Sequence, residues 1–369
     1  MHIKPFQAVY PNLDYITSAD SFFNSARDEY LEYSDSGFFT KTAQEALFIY
    51  RIQRPERQFT GLIACADIRD YLDGNIKQHE HTLAAKEQQQ MQLMFRRRAA
   101  VKPVLLAYPG VDAINRWIES YIIRREPFFE VESEESREHH ILWEVRDGAA
   151  IREIQVLFEQ HVPFSYIADG HHRTSTTSMM YGKALEGKQQ GDYHLLLCAL
   201  FPSSDIDILD FNRVVYGLNG HSKTAFMAHI AQYFEIGFLD RPEKPGQKHE
   251  ITMFFNREWY RLRWREHILL EYFDEAVVLD AMLLDEKVLG NILGIADVRT
   301  DQRILYVEGP RGLDGIQHAV AKGEEGVAFC LFPVQLEEMM KVADAGKVMP
   351  PKSTWVEPRM KNGLIVQVY

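Results

Sequence analysis

The residue types best suited to chemistry stand together in one segment, Asp169-Gly170-His171-His172-Arg173, between a strand-like run and a helical one. Gly170 allows a sharp turn that other residues disfavour. The first turn of a helix has unpartnered backbone N–H groups and the positive end of the helix dipole, so it attracts anions. The histidines add donors there, and the guanidinium of Arg173 matches two phosphate oxygens. The segment, which we call the DGHHR turn, therefore predicts an anion-binding, phosphate-handling site.

Two other interpretations of the DGHHR turn remain open from the sequence. Asp169 could simply cap the helix, with His171 and His172 exposed to solvent on its first turn. The aspartate and both histidines could instead bind a metal ion, although adjacent histidines on a helix point about 100° apart. The hydroxyls that begin at Thr174 favour the phosphate interpretation, because they add further donors at the same helix end.

A second polar segment, Gly74–Thr82, holds a lysine, two histidines and a glutamate just before a helical run. A carboxylate can accept a hydroxyl proton, so Glu80 is the candidate general base. Lys77 and His79 can pair with phosphate. The alternative is a solvated polar loop without a function. We call this segment the His79 loop.

A third segment, Met349–Pro358, contains two adjacent prolines that fix an extended approach. Lys352 and Ser353 follow them and offer consecutive donors to an anion. The alternative is a rigid, Pro-rich surface segment. Elsewhere, the three arginines at 96–98 are typical of a solvated helix C-terminus, where positive charge is favourable.

The elements that must position these segments alternate between strands and helices. Apolar alternation predicts a hairpin from EALFIYRIQ and FTGLIACADI, and AAKEQQQMQLMFRRR predicts a Gln-rich helix. The overall pattern predicts an α+β fold of layered mixed sheets with helices. We expect three regions: an N-terminal region over residues 1–100, an α/β region over 101–215 that carries the DGHHR turn, and a C-terminal α+β region over 216–369.

Composition excludes several function classes. The 369-residue chain is 46% hydrophobic and 25% charged, which is typical of a globular protein. Its formal charge of −12 disfavours a nucleic-acid partner. The sequence has no membrane-spanning apolar run and no signal-peptide pattern, so we expect no membrane partner and a cytoplasmic location. Three cysteines in apolar runs are expected to be buried and reduced.

Several segments occur in an order that resembles a known family: IKPF, GLIACADIRDY, GNIKQHEHT, YIADGHHR, LDFNRVV, LGIADVRTDQRI, GVAFCLFP and VADAGKVMPPKSTWVEPRMKNGL. The family is a widespread prokaryotic one known only as domain-of-unknown-function family 1015. The DGHHR turn also resembles the phosphate-contacting turn of the ParB/sulfiredoxin superfamily, which includes nucleotide hydrolases and free serine kinases. That resemblance implies that residues 170–173 contact nucleotide phosphates. It also implies that Asp169 orients a hydroxyl or a metal, with Mg²⁺ sharing the phosphates of ATP, ADP or CTP.

The leading hypothesis is a phosphotransferase or phosphohydrolase with Glu80, Asp169 and His172 as catalytic residues. The expected phosphate or nucleotide contacts are Lys77, His79, Gly170, His171, His172, Arg173, Thr174, Lys352 and Ser353. The first alternative is a non-catalytic protein that senses a phosphorylated small molecule. A weaker alternative is a metal-dependent hydrolase that uses His79, His81, His171 and His172. The oligomeric state does not follow from the sequence.

Overall fold

The computed structural model describes residues 1–187, 193–323 and 325–369. The chain divides into two compact units, one formed by Met1–Asp207 with Pro358–Tyr369 and the other by Ile208–Glu357. The segment Met1–Asp207 of the first unit ends eight residues before the boundary predicted at residue 215. The boundary predicted near residue 100 falls inside the first unit, because strands from both sides of it join one sheet. Both units combine sheets with helices, so the predicted α+β class is confirmed.

The first unit is built on a mixed sheet. From one edge to the other, its strands are Ile76–Lys77, Ser165–Asp169, Val104–Tyr108, Leu195–Pro202, Gln58–Asp67, Leu47–Gln53, Glu138–Val145 and Phe129–Ser133. Ile3–Lys4 pairs with Gln58–Asp67 outside this path. The predicted hairpin is confirmed, since Leu47–Gln53 and Gln58–Asp67 are adjacent and antiparallel. A smaller sheet has the order Phe39–Lys41, Ala8–Pro11, Val366–Val368 and Ala99–Ala100.

The helices of the first unit are Ala19–Ser25, Tyr30–Asp35, Ile68–Leu72, Ala84–Arg97, Asp112–Ile122, Gly148–His161 and His171–Leu185, with short 3₁₀ turns at Leu13–Tyr15 and Ser203–Asp205. Asp112–Ile122 and Gly148–His161 bury apolar side chains in the core of the main sheet. Apolar residues three or four apart, such as Ile154 and Phe158, point into the core. Ala84–Arg97 is the predicted Gln-rich helix, and we call His171–Leu185 the turn helix.

The second unit has its own sheet and its own core. The strand order is Phe234–Leu239, Glu258–Trp264, Glu250–Phe255, Gly326–Leu331, Phe211–Tyr216 and Ile304–Glu308. Its helices are Lys223–Tyr233, Glu266–Leu270, Asp280–Leu283, Gly312–Val320 and Leu336–Asp344, with a π-helical turn at Leu284–Gly290 and a 3₁₀ turn at Gly309–Arg311. The short strands Asp207–Leu209 and Trp355–Glu357 lie where the chain passes between units.

The strand Ser165–Asp169 decides where the DGHHR turn lies. It pairs with Val104–Tyr108 on one side and, in parallel, with Ile76–Lys77 on the other. Its register against Val104–Tyr108 shifts between Ile167 and Asp169, so the last residue is displaced from the regular ladder. Irregularities of this kind re-aim a side chain at the end of a strand. The sheet therefore presents Asp169 at a strand end next to the His79 loop.

Two further expectations can be compared with the described residues. All three cysteines are free and buried there, as predicted. No helix in the described part of the chain is long and apolar enough to cross a membrane.

Candidate functional site

The DGHHR turn is a strand–turn–helix junction, as predicted. The strand ends at Asp169 and the turn helix begins at His171, with Gly170 as the N-cap. Gly170 has a φ of 114°, and a Cβ atom placed there would lie 2.7 Å from Nη2 of Arg173. Glycine is thus required for the backbone conformation and for the space that the guanidinium occupies. No side chain caps this helix, so the interpretation of Asp169 as the cap is wrong.

Among the described residues, three cations surround the carboxylate of Asp169. Nη2 of Arg173 lies 2.9 Å from Oδ2, Nζ of Lys102 lies 3.8 Å from Oδ2, and Nη1 of Arg359 lies 3.9 Å from Oδ1. Burial by itself would raise the pKa of Asp169, but these cations outweigh it and hold that pKa well below its usual range. Asp169 is therefore ionised at neutral pH and is a weak proton acceptor.

The pKa of Lys102, a member of the same cluster, is also lowered. Burial is the largest cause that lowers the pKa of Lys102, Asp169 raises it, and the charges of Arg173, Arg359 and Arg27 lower it, so that the pKa is about 8. The shift of this pKa is therefore mainly an effect of burial. The charge balance of the cluster follows from its geometry instead: three cations lie within 4 Å of the single carboxylate of Asp169. The sequence offered no signal for Lys102 or Arg359, because each lies far from the turn along the chain.

The His79 loop contacts the turn helix directly. The backbone N–H of His79 donates to Nε2 of His171 over 3.5 Å, and the two rings meet edge to face with centroids 4.4 Å apart. Both residues are buried, with exposures of 2% and 6%. Burial lowers the pKa of His171 to about 4 and that of His79 well below its usual value. Both rings are therefore neutral at pH 7, and their contact holds the loop against the helix.

The two charged candidates of the His79 loop have different surroundings. Oε2 of Glu80 lies 3.7 Å from Nδ1 of His171, and the Glu80 side chain is 43% exposed. This carboxylate is open to solvent beside the turn, as a general base must be to meet its substrate. Nζ of Lys77 lies 4.0 Å from the ring centroid of Phe164 and so makes a cation–π contact. The structure thus brings Glu80 to the turn and stacks Lys77 on a neighbouring ring.

The remaining turn residues face the Gln-rich helix or the turn helix itself. Thr174 is fully buried, and its hydroxyl donates to the Gly170 carbonyl over 3.2 Å. His172 is partly exposed, and its charge contributes to lowering the pKa of Glu87. Hydrogen bonds from Ser175 and Thr82 are the larger causes of that shift, each 2.5 Å long. The Glu87 carboxylate, on the Gln-rich helix, therefore links the His79 loop to the turn helix. Its position in a Gln-rich run did not indicate this role.

Lys352 and Ser353 belong to the second unit. Nζ of Lys352 lies 5.4 Å from the ring centroid of Phe211, and its carbonyl accepts a hydrogen bond from the buried Arg213. Ser353 is buried, and its hydroxyl donates to the Pro350 carbonyl over 2.7 Å. These contacts fix the segment within its own unit, and a role for it at the DGHHR turn stays a prediction.

The described residues contain no group of three or more His, Cys, Asp or Glu side chains arranged to hold a metal ion. The predicted set of His79, His81, His171 and His172 does not form such a group there. His79 and His171 use their rings for a contact with each other, and His81 is exposed on the loop.

We expect the contact between the His79 loop and the turn helix to weaken at acid pH. The pKa of His171 is about 4 in the folded chain, against an ordinary value of 6.5. The unfolded chain therefore takes up this proton first, and stability is lost as the pH falls from 6.5 to 4. The loss from this residue is about 3 kcal/mol in total.

Urea unfolding at about pH 7.5 and pH 5 measures this loss of stability, with His171→Phe as the comparison because phenylalanine keeps a ring that does not titrate. An equal pH dependence in both proteins would contradict this assignment.

The chain is similar to several solved structures. One is SbnI with a C-terminal truncation from Staphylococcus aureus, at 13% identity and a TM-score of 0.44, covering 83% of this chain and 87% of that one. A free serine kinase mutant in complex with ADP has 15% identity and a TM-score of 0.40, with coverages of 83% and 91%. A conserved hypothetical protein from Pyrococcus furiosus has 14% identity and a TM-score of 0.39, with coverages of 83% and 95%. These TM-scores lie below 0.5, so the similarities do not determine the fold or the activity of this chain.

Comparison with curated proteins finds no match. A family model does match, over residues 9–285, which is three quarters of the chain. The predicted family is therefore confirmed, and the chain belongs to the family described as Protein of unknown function (DUF1015).

Proposed function

We propose that this chain binds a nucleotide or another phosphorylated small molecule at the DGHHR turn and transfers or hydrolyses its phosphoryl group there. The observation that carries the proposal is the charge around Asp169, where Arg173, Lys102 and Arg359 all lie within 4 Å of one carboxylate. Three positive charges surround this one carboxylate, at a helix N-terminus whose N-cap is Gly170 and which has no side-chain cap among the described residues. Such an arrangement is suited to a di- or trianionic group.

The arrangement is also organised before a ligand arrives. Asp169 holds Arg173 through one guanidinium nitrogen, Nη2, while the buried Nε has no hydrogen-bond partner among the described residues. A buried donor without a partner costs free energy, which a phosphate oxygen would recover. Donors that are already in position stabilise developing charge without reorganisation, and this is the main requirement of phosphoryl transfer.

Glu80 is the residue that we assign as general base. An acceptor hydroxyl or water would attack the phosphorus, its proton would pass to Glu80, and the bond to the leaving oxygen would break. Asp169 is a poor base for this step because the surrounding cations lower its pKa. We propose that His172 contacts the phosphate, with the turn amides from Gly170 onward as the remaining donors. The resemblance of the turn to the ParB/sulfiredoxin superfamily supports the phosphate contacts at residues 170–173.

The side chains at the turn do not form a magnesium site. The oxygens of Asp169 already face three cations, which would repel a divalent ion at the same carboxylate. Magnesium ions also favour several oxygen ligands in near-octahedral geometry. We therefore propose that Arg173, Lys102 and Arg359 neutralise the phosphate charge, and we derive no step through a metal held by this protein.

The second candidate function is a phospholigand sensor without turnover. The observation that favours it is the solvent exposure of the Glu80 side chain, which is 43%. A general base this open to solvent needs the bound ligand to complete its geometry. Both functions share the same binding site, and they differ only in whether the bound phosphoryl group is then transferred or hydrolysed.

Binding itself is tested by calorimetry with ATP, ADP, CTP and inorganic phosphate. Replacing Arg173 with Gln removes a charged donor, which is worth about 1.5–3 kcal/mol, so we expect affinity to fall about tenfold or more. Arg116→Gln, at an exposed arginine of another helix, should leave affinity unchanged. If the unaltered protein binds none of these compounds, the proposal is wrong.

Affinity should also depend on the protonation of Lys102. Its pKa of about 8 means that the free site loses this positive charge as the pH rises through that value. ADP is fully ionised from about pH 7.5 to pH 9.5, so we expect its affinity to fall about tenfold as the lysine becomes neutral. Lys102→Arg keeps the charge at all these pH values and should give a flat profile. A flat profile for the unaltered protein would exclude Lys102 from the anion site.

Turnover distinguishes the enzyme from the sensor. Release or transfer of phosphate from ATP or ADP over hours should fall about 100-fold or more in Glu80→Gln, the range typical of a lost general base, while ADP affinity is retained. His81→Asn, at an exposed position of the same loop, serves as the control and should keep its activity. Equal background rates in all three proteins would favour the sensor.

A further inference from the structure

A cavity of about 190 Å³ lies within the first unit beside Arg173. Within the described structure, four cationic side chains line it, and no Asp or Glu side chain does. The cationic residues are Arg27, Arg97, Lys102 and Arg173. Thr177 and Asn362 add polar groups, and apolar side chains form much of the remaining wall. A benzene-binding cavity in another protein measures about 150 Å³, so this one has room for a small organic group.

Arg97 lies at the end of the Gln-rich helix, but its side chain is not solvated there. Its side chain is 10% exposed, whereas Arg96 on one side is exposed and Arg98 on the other ends the helix in a left-handed conformation. The sequence interpretation of a solvated terminus is therefore wrong for Arg97. Burial lowers the pKa of Arg97, which means that its charge is held in the cavity wall at a cost in free energy.

Two carboxylate side chains lie within 4 Å of these cations. The carboxylate of Asp28 lies 3.8 Å from Nη2 of Arg97 and 3.3 Å from Nε of Arg27, and the Asp28 side chain is 70% exposed. Solvent screens a pair of this kind strongly. Asp169 is the counter-ion of Arg173 and Lys102. The side chains that line the cavity therefore carry an excess of positive charge.

We infer that the cavity binds a second anionic group of the same ligand that places its phosphate at the DGHHR turn. This inference rests on the proposed function. The ligand class is then a small organic phosphate that also carries a carboxylate or a further phosphate, joined by a short linker. Arg173 and Lys102 carry the argument, because both contact Asp169 at the turn and both line the cavity. Two anion subsites that share two cations are close enough for one short molecule to span them.

The test compares matched probes by calorimetry. Glycerol 3-phosphate and 3-phosphoglycerate have the same carbon skeleton and differ in one carboxylate, while inorganic phosphate and pyrophosphate differ in one phosphate. We expect the second member of at least one pair to bind about tenfold or more tightly, since a charged hydrogen bond is worth about 1.5–3 kcal/mol. The pair that shows the preference identifies the second group as a carboxylate or a phosphate.

Variants then locate the preference. Arg97→Met and Arg27→Gln should reduce the ratio of affinities within the preferred pair to near one, while the affinity for the single anion stays unchanged. Arg96→Met, at the exposed neighbouring position, should keep the full ratio. Arg27 is an exposed side chain, so Arg27→Gln gives a folded protein even if Arg97→Met does not.

The outcomes separate this inference from the function on which it rests. Binding of all probes with no preference in either pair would overturn the inference and leave the anion site intact. A preference that survives in both Arg97→Met and Arg27→Gln would also overturn it. If none of the probes binds, the proposed anion site is itself wrong and the inference falls with it.

Discussion

The carboxylate of Asp169 is the centre on which the rest of this site depends. It attracts one cation from the start of a strand, one from the first turn of a helix and one from the C-terminal segment, in Lys102, Arg173 and Arg359. Without this negative charge the three would repel one another at short range in a partly buried setting, where screening is weak. The aspartate thus acts as an internal counter-ion that assembles a basic site inside an acidic protein with a net charge of −12. Local charge and net charge are independent here, as the binding argument requires.

Several of the strands and helices that position the site could be predicted from short stretches of the sequence. The hairpin Leu47–Gln53 with Gln58–Asp67 follows from alternation, and the Gln-rich helix follows from its composition. The junction at Gly170 follows from a strand-like run that meets a glycine and a polar helix start. Each of these features depends on residues that are neighbours in sequence. That is why the type of each element and the place of the turn could be predicted from the sequence.

The charge network could not be predicted in the same way. Lys102 precedes a proline at a strand start, and Arg359 follows one near the C-terminus, so neither has a neighbour that indicates its partner. Arg97 stands in a run of three arginines, and only tertiary packing distinguishes it from the exposed Arg96. Glu87 lies among glutamines, and its role appears only when two helices bring Ser175 and Thr82 to its carboxylate. The sequence identified the turn, whereas the fold identified the cations that give the turn its charge.

The contact between His79 and His171 has a consequence for how the protein acquires its site. The two residues are 92 positions apart, and their contact depends on the parallel pairing of Ile76–Lys77 with the strand that precedes the turn. Closing a loop of that length costs entropy before any contact compensates for it, so we expect pairings of this kind to form late in folding. The first unit also needs its C-terminal segment, since Arg359 completes the cation cluster. A chain emerging from the ribosome therefore has the DGHHR sequence before it has the proposed anion site, so we expect affinity for a ligand there to require the finished fold.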